Sequence, residues 1–378
     1  MRIGIDGSNL REGGGVTHLA ALLNAAHPNE HGIREVLVWA GQNTLKAIPV
    51  RHWLRRMHET ALDRSLPARL YWQTVRLPKL AKGMCDILFV PGGNYRGRYR
   101  PTVVMCRNML PFKKAEMRRY GFSWMFVKLL LLRLSQSASY RNAEGVIFLN
   151  EHARSVVMGQ KKNFKGQWRI IPHGIDKRFH LKPRAQRPLN AYSKVKPFRL
   201  LYVSKLHPYK HQWHVVEAVT RLRREGISIE LDLVGSAYGS ALRRLMKVVK
   251  RVDRDYDFIR YRGQVPYDNL IQYYHRADGF VFASSCENMP NIILEAMAAG
   301  LPIACSNREP MPEVLGDGGV YFNPESAEEI AEALKRLIMD SALRERCAQF
   351  AYDRAQQYSW RRCSQNTLDF LVQVANSG

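Results

Sequence analysis

Short runs of β-branched and aromatic residues alternate with helix-length segments from one end of this chain to the other. That alternation narrows its possible folds to parallel α/β domains. In the first half, residues 3–6, 35–39, 86–90, 102–105 and 145–149 read as strands, and 17–26, 65–81, 122–141 and 151–163 as helices. In the second half, strands at 199–203, 228–234, 258–261, 279–283, 302–304 and 320–322 alternate with helices at 211–225, 241–252, 267–275 and 291–299. Three further helices are expected at 327–339, 342–357 and 360–374. Residues 178–197, rich in Pro, Lys and Arg and without apolar periodicity, read as a linker. The expected organisation is a Rossmann-like domain at 1–177, that linker, a second Rossmann-like domain at 198–357, and a C-terminal helix at 358–378 packing back toward the first domain. Two doubly wound domains would face each other across a central cleft at the carboxyl ends of their strands.

Charge separates the halves. Residues 1–200 hold 36 Lys+Arg against 11 Asp+Glu, whereas residues 201–378 hold 22 of each. All of the net +25 therefore lies in the first half, which implies an anionic partner there, a nucleic acid or a membrane surface. The opening MRIGIDGSNL alternates like a strand rather than a signal peptide, and no apolar run reaches membrane-spanning length. Six scattered cysteines show no metal-ligand spacing, as expected of a cytoplasmic protein.

The densest motif is Glu287-Asn288-Met289-Pro290-Asn291-Ile292-Ile-Leu-Glu295, which follows a strand and opens a helix. Pro290 suits a helix start, where its missing N–H costs nothing, and the free N–H groups of Asn291 and Ile292 can hold a phosphate. Glu287 and Glu295 can each accept hydrogen bonds from sugar hydroxyls. Lys205 and Lys210 follow the strand at 199–203, and two ammonium groups there can neutralise charge growing on a leaving diphosphate. Gly13-Gly14-Gly15 lies between the first strand and helix and permits close approach of a ligand, with Thr17 placed to cap the helix. Pro172-His173-Gly174 reads either as a structural turn or as a histidine facing the cleft. Asp253-Arg-Asp255-Tyr-Asp257 resembles a metal motif, but it lies at a helix end and reads as a solvated acidic turn.

These motifs together resemble glycosyltransferase family 4 (group 1), retaining enzymes of the GT-B architecture, over most of the chain and most strongly from Leu200 to Pro324. The resemblance implies that Glu287 contacts the transferred sugar and Glu295 the ribose hydroxyls. It places Asn288, Met289, Pro290, Asn291 and Ile292 against sugar hydroxyls and the distal phosphate. Lys205 and Lys210 would hold the diphosphate and, with Glu287, act in catalysis, while Gly14 and Gly15 lie against diphosphate or acceptor. Many members carry a histidine at the place of Arg107, beside Asn108. These two and His173 are the candidate sugar or acceptor contacts. Arginine does not act as a general base, so the leaving phosphate itself would take the acceptor proton. No metal and no cofactor are expected beyond the nucleotide diphosphate sugar as co-substrate.

Lys113–Arg119 leads into the aromatic and leucine-rich run 122–134, and Trp53, Arg55, Arg56 and 69–82 repeat the pattern. Such segments suit an anionic membrane interface. The function expected is hexose transfer to a saccharide acceptor, lipid-linked, in synthesis of a bacterial cell-envelope polysaccharide such as O-antigen, capsule or exopolysaccharide. The enzyme would sit peripherally at the inner face of the membrane. A nucleotide-sugar epimerase of the same shape is the alternative, and it would interconvert donors without an acceptor. A nucleic-acid-binding protein fits less well, because recognition motifs are missing and the second half is neutral. No nucleic-acid partner is expected.

Overall fold

The computed structural model describes residues 1–11, 13–159, 164 and 166–377. The chain forms two compact units. One comprises Met1–Met117, Phe122–Gly174 and Ser359–Gly378, and the other Arg118–Gly121 and Ile175–Tyr358.

In the first unit seven strands form a wholly parallel sheet in the order β3-β2-β1-β4-β5-β6-β7. They are β1 (Arg2–Asp6), β2 (Glu35–Ala40), β3 (Leu54–His58), β4 (Ile87–Val90), β5 (Thr102–Met105), β6 (Gly145–Phe148) and β7 (Gln167–Ile170). In the second unit six parallel strands run β10-β9-β8-β11-β12-β13. These are β8 (Phe198–Val203), β9 (Ile229–Val234), β10 (Ile259–Gly263), β11 (Gly279–Phe282), β12 (Ile303–Ser306) and β13 (Gly319–Phe322). Both orders reverse at one point, between β1 and β4 and between β8 and β11, and ligands of doubly wound sheets bind beside such reversals. Central strands such as β11 and β12 are buried at every residue, which requires the continuous apolar runs seen in the sequence.

The sequence reading misses β3 and β7. Both are edge strands with mixed exposure, and β3 carries Arg55, Arg56 and His58 where an apolar run would be needed to announce it. The grouping of Trp53, Arg55 and Arg56 with membrane-binding residues is corrected on the same ground. Trp53 is buried, and Arg55 lies 3.6 Å from Glu35 on the neighbouring strand. The first helix spans Gly14–Asn24, three residues earlier than expected, so its glycines form the first turn and Thr17 caps nothing. The helix expected at 151–163 runs Glu151–Gly159, and residues 160–163 lie outside the described residues.

Residues 178–197, read as a linker, pack within the second unit. The Leu181 N–H donates to the Ala298 carbonyl (2.9 Å), and the Arg184 guanidinium donates to the carbonyls of His275 and Ala277. The chain passes between units instead at Gly174 and Ile175, and returns at Ser359. The last helix, Trp360–Asn376, belongs to the first unit, where Phe370, Leu371 and Val374 are buried and Asp369 pairs with His31 at 2.7 Å.

The start of that helix rests on Gly174. A Cβ there would lie 2.2 Å from the Trp360 nitrogen and 2.5 Å from its Cα, both backbone atoms that cannot yield like a side chain. Gly174→Ala is therefore expected to cost on the order of 2–4 kcal/mol and lower the melting temperature by several degrees. Gly83→Ala serves as the control. A Cβ at this helical glycine meets nothing within 4 Å, so the change should be neutral or stabilising. Thermal unfolding of the two variants checks the contrast.

Candidate functional site

The loops after β8 and β11 meet beside the strand reversal of the second unit. After β8 the chain makes a short turn, Pro208–Lys210, and enters the helix Gln212–Arg224 through His211, whose φ of 51° is a left-handed conformation unusual for a residue with a side chain. Two bonds hold the two loops together, and a third anchors the first loop to β8. The Ser285 N–H donates to the Tyr209 carbonyl (2.9 Å), His211 Nε2 hydrogen-bonds Ser285 Oγ (3.0 Å), and the Tyr202 hydroxyl donates to the Lys210 carbonyl.

This scaffold brings Lys210 against Glu287, 77 positions later, in a direct ion pair. Their side chains are only 8% and 14% exposed, so the pair is screened from water. The Lys210 ammonium also lies 5.3 Å and 4.9 Å from the ring centroids of Tyr209 and Phe282, where aromatic faces favour a cation. Lys205 is exposed. His207 stacks between Tyr209 and Tyr238, with centroids 5.4 and 5.6 Å away. Burial first, and then Lys205 and Lys210, push its imidazole down to about 4, so it stays neutral and leaves the positive charge to the lysines.

Asn288, Met289 and Pro290 are buried, and Pro290 caps the helix Asn291–Ala298, as its position suggests. The first helical bonds to the Pro290 carbonyl come from Ile293 (3.0 Å) and Leu294 (3.4 Å), which leaves the N–H groups of Asn291 and Ile292 outside the helical ladder. The Asn291 Oδ1 is buried without a partner. A phosphate or hydroxyl-bearing ligand would find here two backbone donors, one amide oxygen and a partly screened ammonium.

Glu295 is placed differently from Glu287. It is 5% exposed, and its two oxygens accept from the hydroxyls of Tyr267 (3.1 Å) and Tyr274 (3.0 Å). Burial pushes its carboxyl up to about 7, and the tyrosine hydroxyls offset only part of that rise. Neither tyrosine was singled out from the sequence. Tyr267 opens its helix and Tyr274 lies seven residues on, a spacing that puts both on one face. Only the end point of that face, Glu295, distinguishes them from ordinary core residues.

Of the candidates in the first unit, Arg107 follows β5, and its guanidinium donates to the Gly14 carbonyl (2.6 Å) while lying beside Gly15. Asn108 uses Oδ1 to accept from the Leu110 N–H (3.1 Å), a local turn. His173 is buried, 4.6 Å from the His18 ring and 6.1 Å from that of Trp360. The acidic turn needs one correction. Asp253 is buried, not solvated, and accepts from the N–H groups of Asp257, Phe258 and Ile259 at 2.7–3.0 Å. No group of metal-ligating side chains occurs among the described residues.

Two parallel doubly wound sheets, with a lysine–glutamate pair at the second reversal, define a protein of the GT-B fold. Residues 189–354 match the family glycosyl transferases group 1, so the second unit is a group 1 glycosyltransferase domain. The chain is 32% identical to the O-antigen chain mannosyltransferase B of Escherichia coli over 170 residues, 45% of this chain and 44% of that protein. It spans about half, or less, of the length of the curated relatives it matches. Among solved structures, the sucrose-phosphate synthase of Thermosynechococcus elongatus superposes with a TM-score of 0.74 at 18% identity, covering 100% of both chains. Anabaena Alr3699/HepE in complex with UDP-glucose gives 0.68 at 16% identity, covering 100% of this chain and 99% of that one.

The buried Glu295 gives a pH signature. Its folded carboxyl titrates above the ordinary value of 4.5, so the folded state binds more protons than the unfolded between about 4.5 and 7. Its stabilising contribution is whole below 4.5 and is lost as pH rises toward 7, over a span on the order of 3 kcal/mol. Glu295→Gln is expected to flatten the fall in stability across that window and to equal or exceed the wild type above pH 7. Denaturant unfolding at a series of pH values measures it; equal pH slopes in the two proteins would contradict the assignment.

Proposed function

We propose that this protein is a retaining, metal-independent glycosyltransferase that moves a hexose from a nucleoside diphosphate sugar to a lipid-linked saccharide acceptor in cell-envelope polysaccharide synthesis. The observation that carries the reading is the Lys210–Glu287 ion pair beside the strand reversal, with the open N–H groups of Asn291 and Ile292 on the next loop. Breaking a glycosidic bond to a diphosphate leaves negative charge on the leaving group and positive charge on the sugar. Lys210, with Lys205, meets the first charge, and Glu287 meets the second. Because Glu287 already holds Lys210 in place, little reorganisation is needed as charge develops. The lysines do the work a metal would do, and the leaving phosphate accepts the proton of the incoming hydroxyl on the same face. The mannosyltransferase relative and the neighbour complexed with UDP-glucose support hexose and nucleotide sugar as the substrate classes.

Glu287→Gln preserves volume and removes the charge. It is expected to lower the transfer rate by roughly 10²–10³ while changing donor affinity less than about threefold, since the contact matters most in the transition state. A chelator should leave the wild-type rate unchanged. Equal losses in rate and affinity would make Glu287 a binding group only, and a rate restored by magnesium or manganese would remove the two-lysine account.

The acceptor reading rests on the surface of the first unit. Its residues 64–117 and 122–143 hold 14 Lys+Arg against two Asp+Glu. The helix Trp124–Asn142 turns Trp124, Val127, Leu130, Leu131 and Leu134 outward, each at least 41% exposed, and Phe122 precedes it fully exposed. A second helical run, Leu66–Tyr71 through a π turn at Trp72–Arg76 to Leu77–Met84, exposes Leu66, Tyr71 and Val75. The two meet around Asn94, whose carbonyl accepts from Gln73 and whose side chain accepts from Ser135 and Ser139. Trp72 is buried and so leaves the expected membrane-facing set, and Arg119 is engaged by Glu325 at 2.8 Å. No helix among the described residues is long and apolar enough to cross a membrane. An apolar stripe within a stretch where cations far outnumber acids suits the interface of an anionic bilayer, where each cation adds about 1 kcal/mol before screening.

Vesicles containing phosphatidylglycerol should sediment with the protein at low salt and release much of it at high salt. Trp124→Ser with Leu131→Ser, and separately Lys79→Ser, Arg98→Ser and Lys128→Ser together, should each weaken sedimentation and leave nucleotide-sugar binding intact. Equal binding to neutral vesicles would contradict the electrostatic part, and no binding at all would make the acceptor soluble.

A further inference from the structure

Three basic side chains converge in the first unit, and no carboxylate among the described residues pairs with them. Arg107 comes from the end of β5, His18 from the helix Gly14–Asn24, and His173 from the turn after β7. His18 is completely buried and neither of its ring nitrogens has a partner. The His173 ring lies 4.6 Å from it, also buried, with Nδ1 unpartnered, and Trp360 closes the cluster 5.4 Å from His18. The Arg107 guanidinium reaches the Gly14 carbonyl through Nη2, while its Nε is buried without a partner. Gly15 leaves the space that this guanidinium fills, since a Cβ there would lie 3.2 Å from Nη1. No carboxylate pairs with Arg107 among the described residues. Among those residues Cys363 is the acidic group that acts on it, and burial pushes its thiol up to about 12, so it remains neutral.

The three groups do not share the same way out. Burial, reinforced by Arg107, drives both imidazoles well below their usual range, and they stay neutral. Burial also lowers Arg107, but only to about 10, so it remains a cation at neutral pH. A desolvated charge without a counterion costs several kcal/mol, and a buried donor without an acceptor adds to that cost. The adjacent helix start contributes further positive potential, because its N-cap is Gly13 and no side chain caps its first N–H groups.

We propose that this cluster is a receptor for an oxyanion, phosphate or carboxylate, on a substrate of the first unit, and that Arg107 is the residue that selects it. An oxyanion can take outer N–H groups of the guanidinium and an N–H of the helix start, and it supplies a counter-charge that no described carboxylate gives Arg107. The substrate would then carry either the phosphate of a lipid carrier or the carboxylate of an acidic sugar. Neutral sugars alone would leave the guanidinium uncompensated.

The test is the melting temperature of the full chain with pyrophosphate, glucuronate or glucose, for the wild type, Arg107→Gln, Arg107→Lys and the surface control Arg34→Gln. At least one anion should raise the wild-type and Arg34→Gln melting temperatures, by the same amount, while glucose does not. The rise should be much smaller in Arg107→Gln and partly kept in Arg107→Lys. A response to pyrophosphate alone assigns a phosphate, and a response to glucuronate alone assigns an acidic sugar. Without anion, Arg107→Gln should melt no lower than the wild type, because an uncompensated charge has been removed. An equal rise in Arg107→Gln, no rise with either anion, or a fall of several degrees without anion would each overturn the proposal, the last by making Arg107 a structural clamp on Gly14. Comparison at position 107 cancels anion binding at Lys205 and Lys210, so the outcome is independent of whether the second unit transfers sugars.

Discussion

The ion pair between Lys210 and Glu287 constrains the second unit more than any other contact at its site. Two charges largely withdrawn from water repay their desolvation only when geometry is held closely. Here the holding is done by the loops themselves. Tyr202 takes the Lys210 carbonyl, Ser285 ties to Tyr209 and His211, and His211 accepts a left-handed backbone to let the helix begin where it does. Removing one partner of such a pair would cost about 3–5 kcal/mol by stranding the other. The net worth of the pair to stability is much smaller, so its value lies in fixing an ammonium and a carboxylate side by side.

The strand order explains why these two residues can meet. Lys210 follows β8 and Glu287 follows β11, which are far apart in sequence but adjacent in the sheet, at the one place where its winding reverses. The first unit has the same reversal between β1 and β4, and its own cluster of Arg107, His18 and His173 is built around the helix that follows β1. The two sites are electrostatic opposites. The second unit pairs its buried cation internally, whereas the first, with 28 Lys+Arg against 11 Asp+Glu, carries most of the excess positive charge and gives the Arg107 guanidinium no carboxylate partner among the described residues.

What was legible in the sequence follows from burial. Strands covered on both faces, such as β11 and β12, need unbroken apolar runs and are read directly, and so are the helices between them. The edge strands β3 and β7 escape because β3 exposes Arg55, Arg56 and His58 and no residue of β7 is fully buried. The Glu287–Glu295 string was visible as a motif, and its helix start at Asn291 was legible from Pro290. The Lys210–Glu287 contact was not, since it is made by strand pairing rather than by spacing. The tyrosines around Glu295 were hidden for a related reason. A tyrosine on a buried helix face is unremarkable until the carboxylate it bonds is known. Tryptophans misled in the other direction, because Trp53 and Trp72 stand in basic stretches yet lie in the core, while Trp124 in a similar stretch is three-quarters exposed.

The central claim is that Lys210 and Glu287 act as one unit in transfer. A double-mutant cycle on the transfer rate, comparing Lys210→Met, Glu287→Gln and the double variant with the wild type, tests it most directly. Each single change should cost the rate heavily, and the double variant should be no slower than the worse single one, because the second removal finds the unit already broken. Losses that multiply in the double variant would show two independent groups and contradict the account.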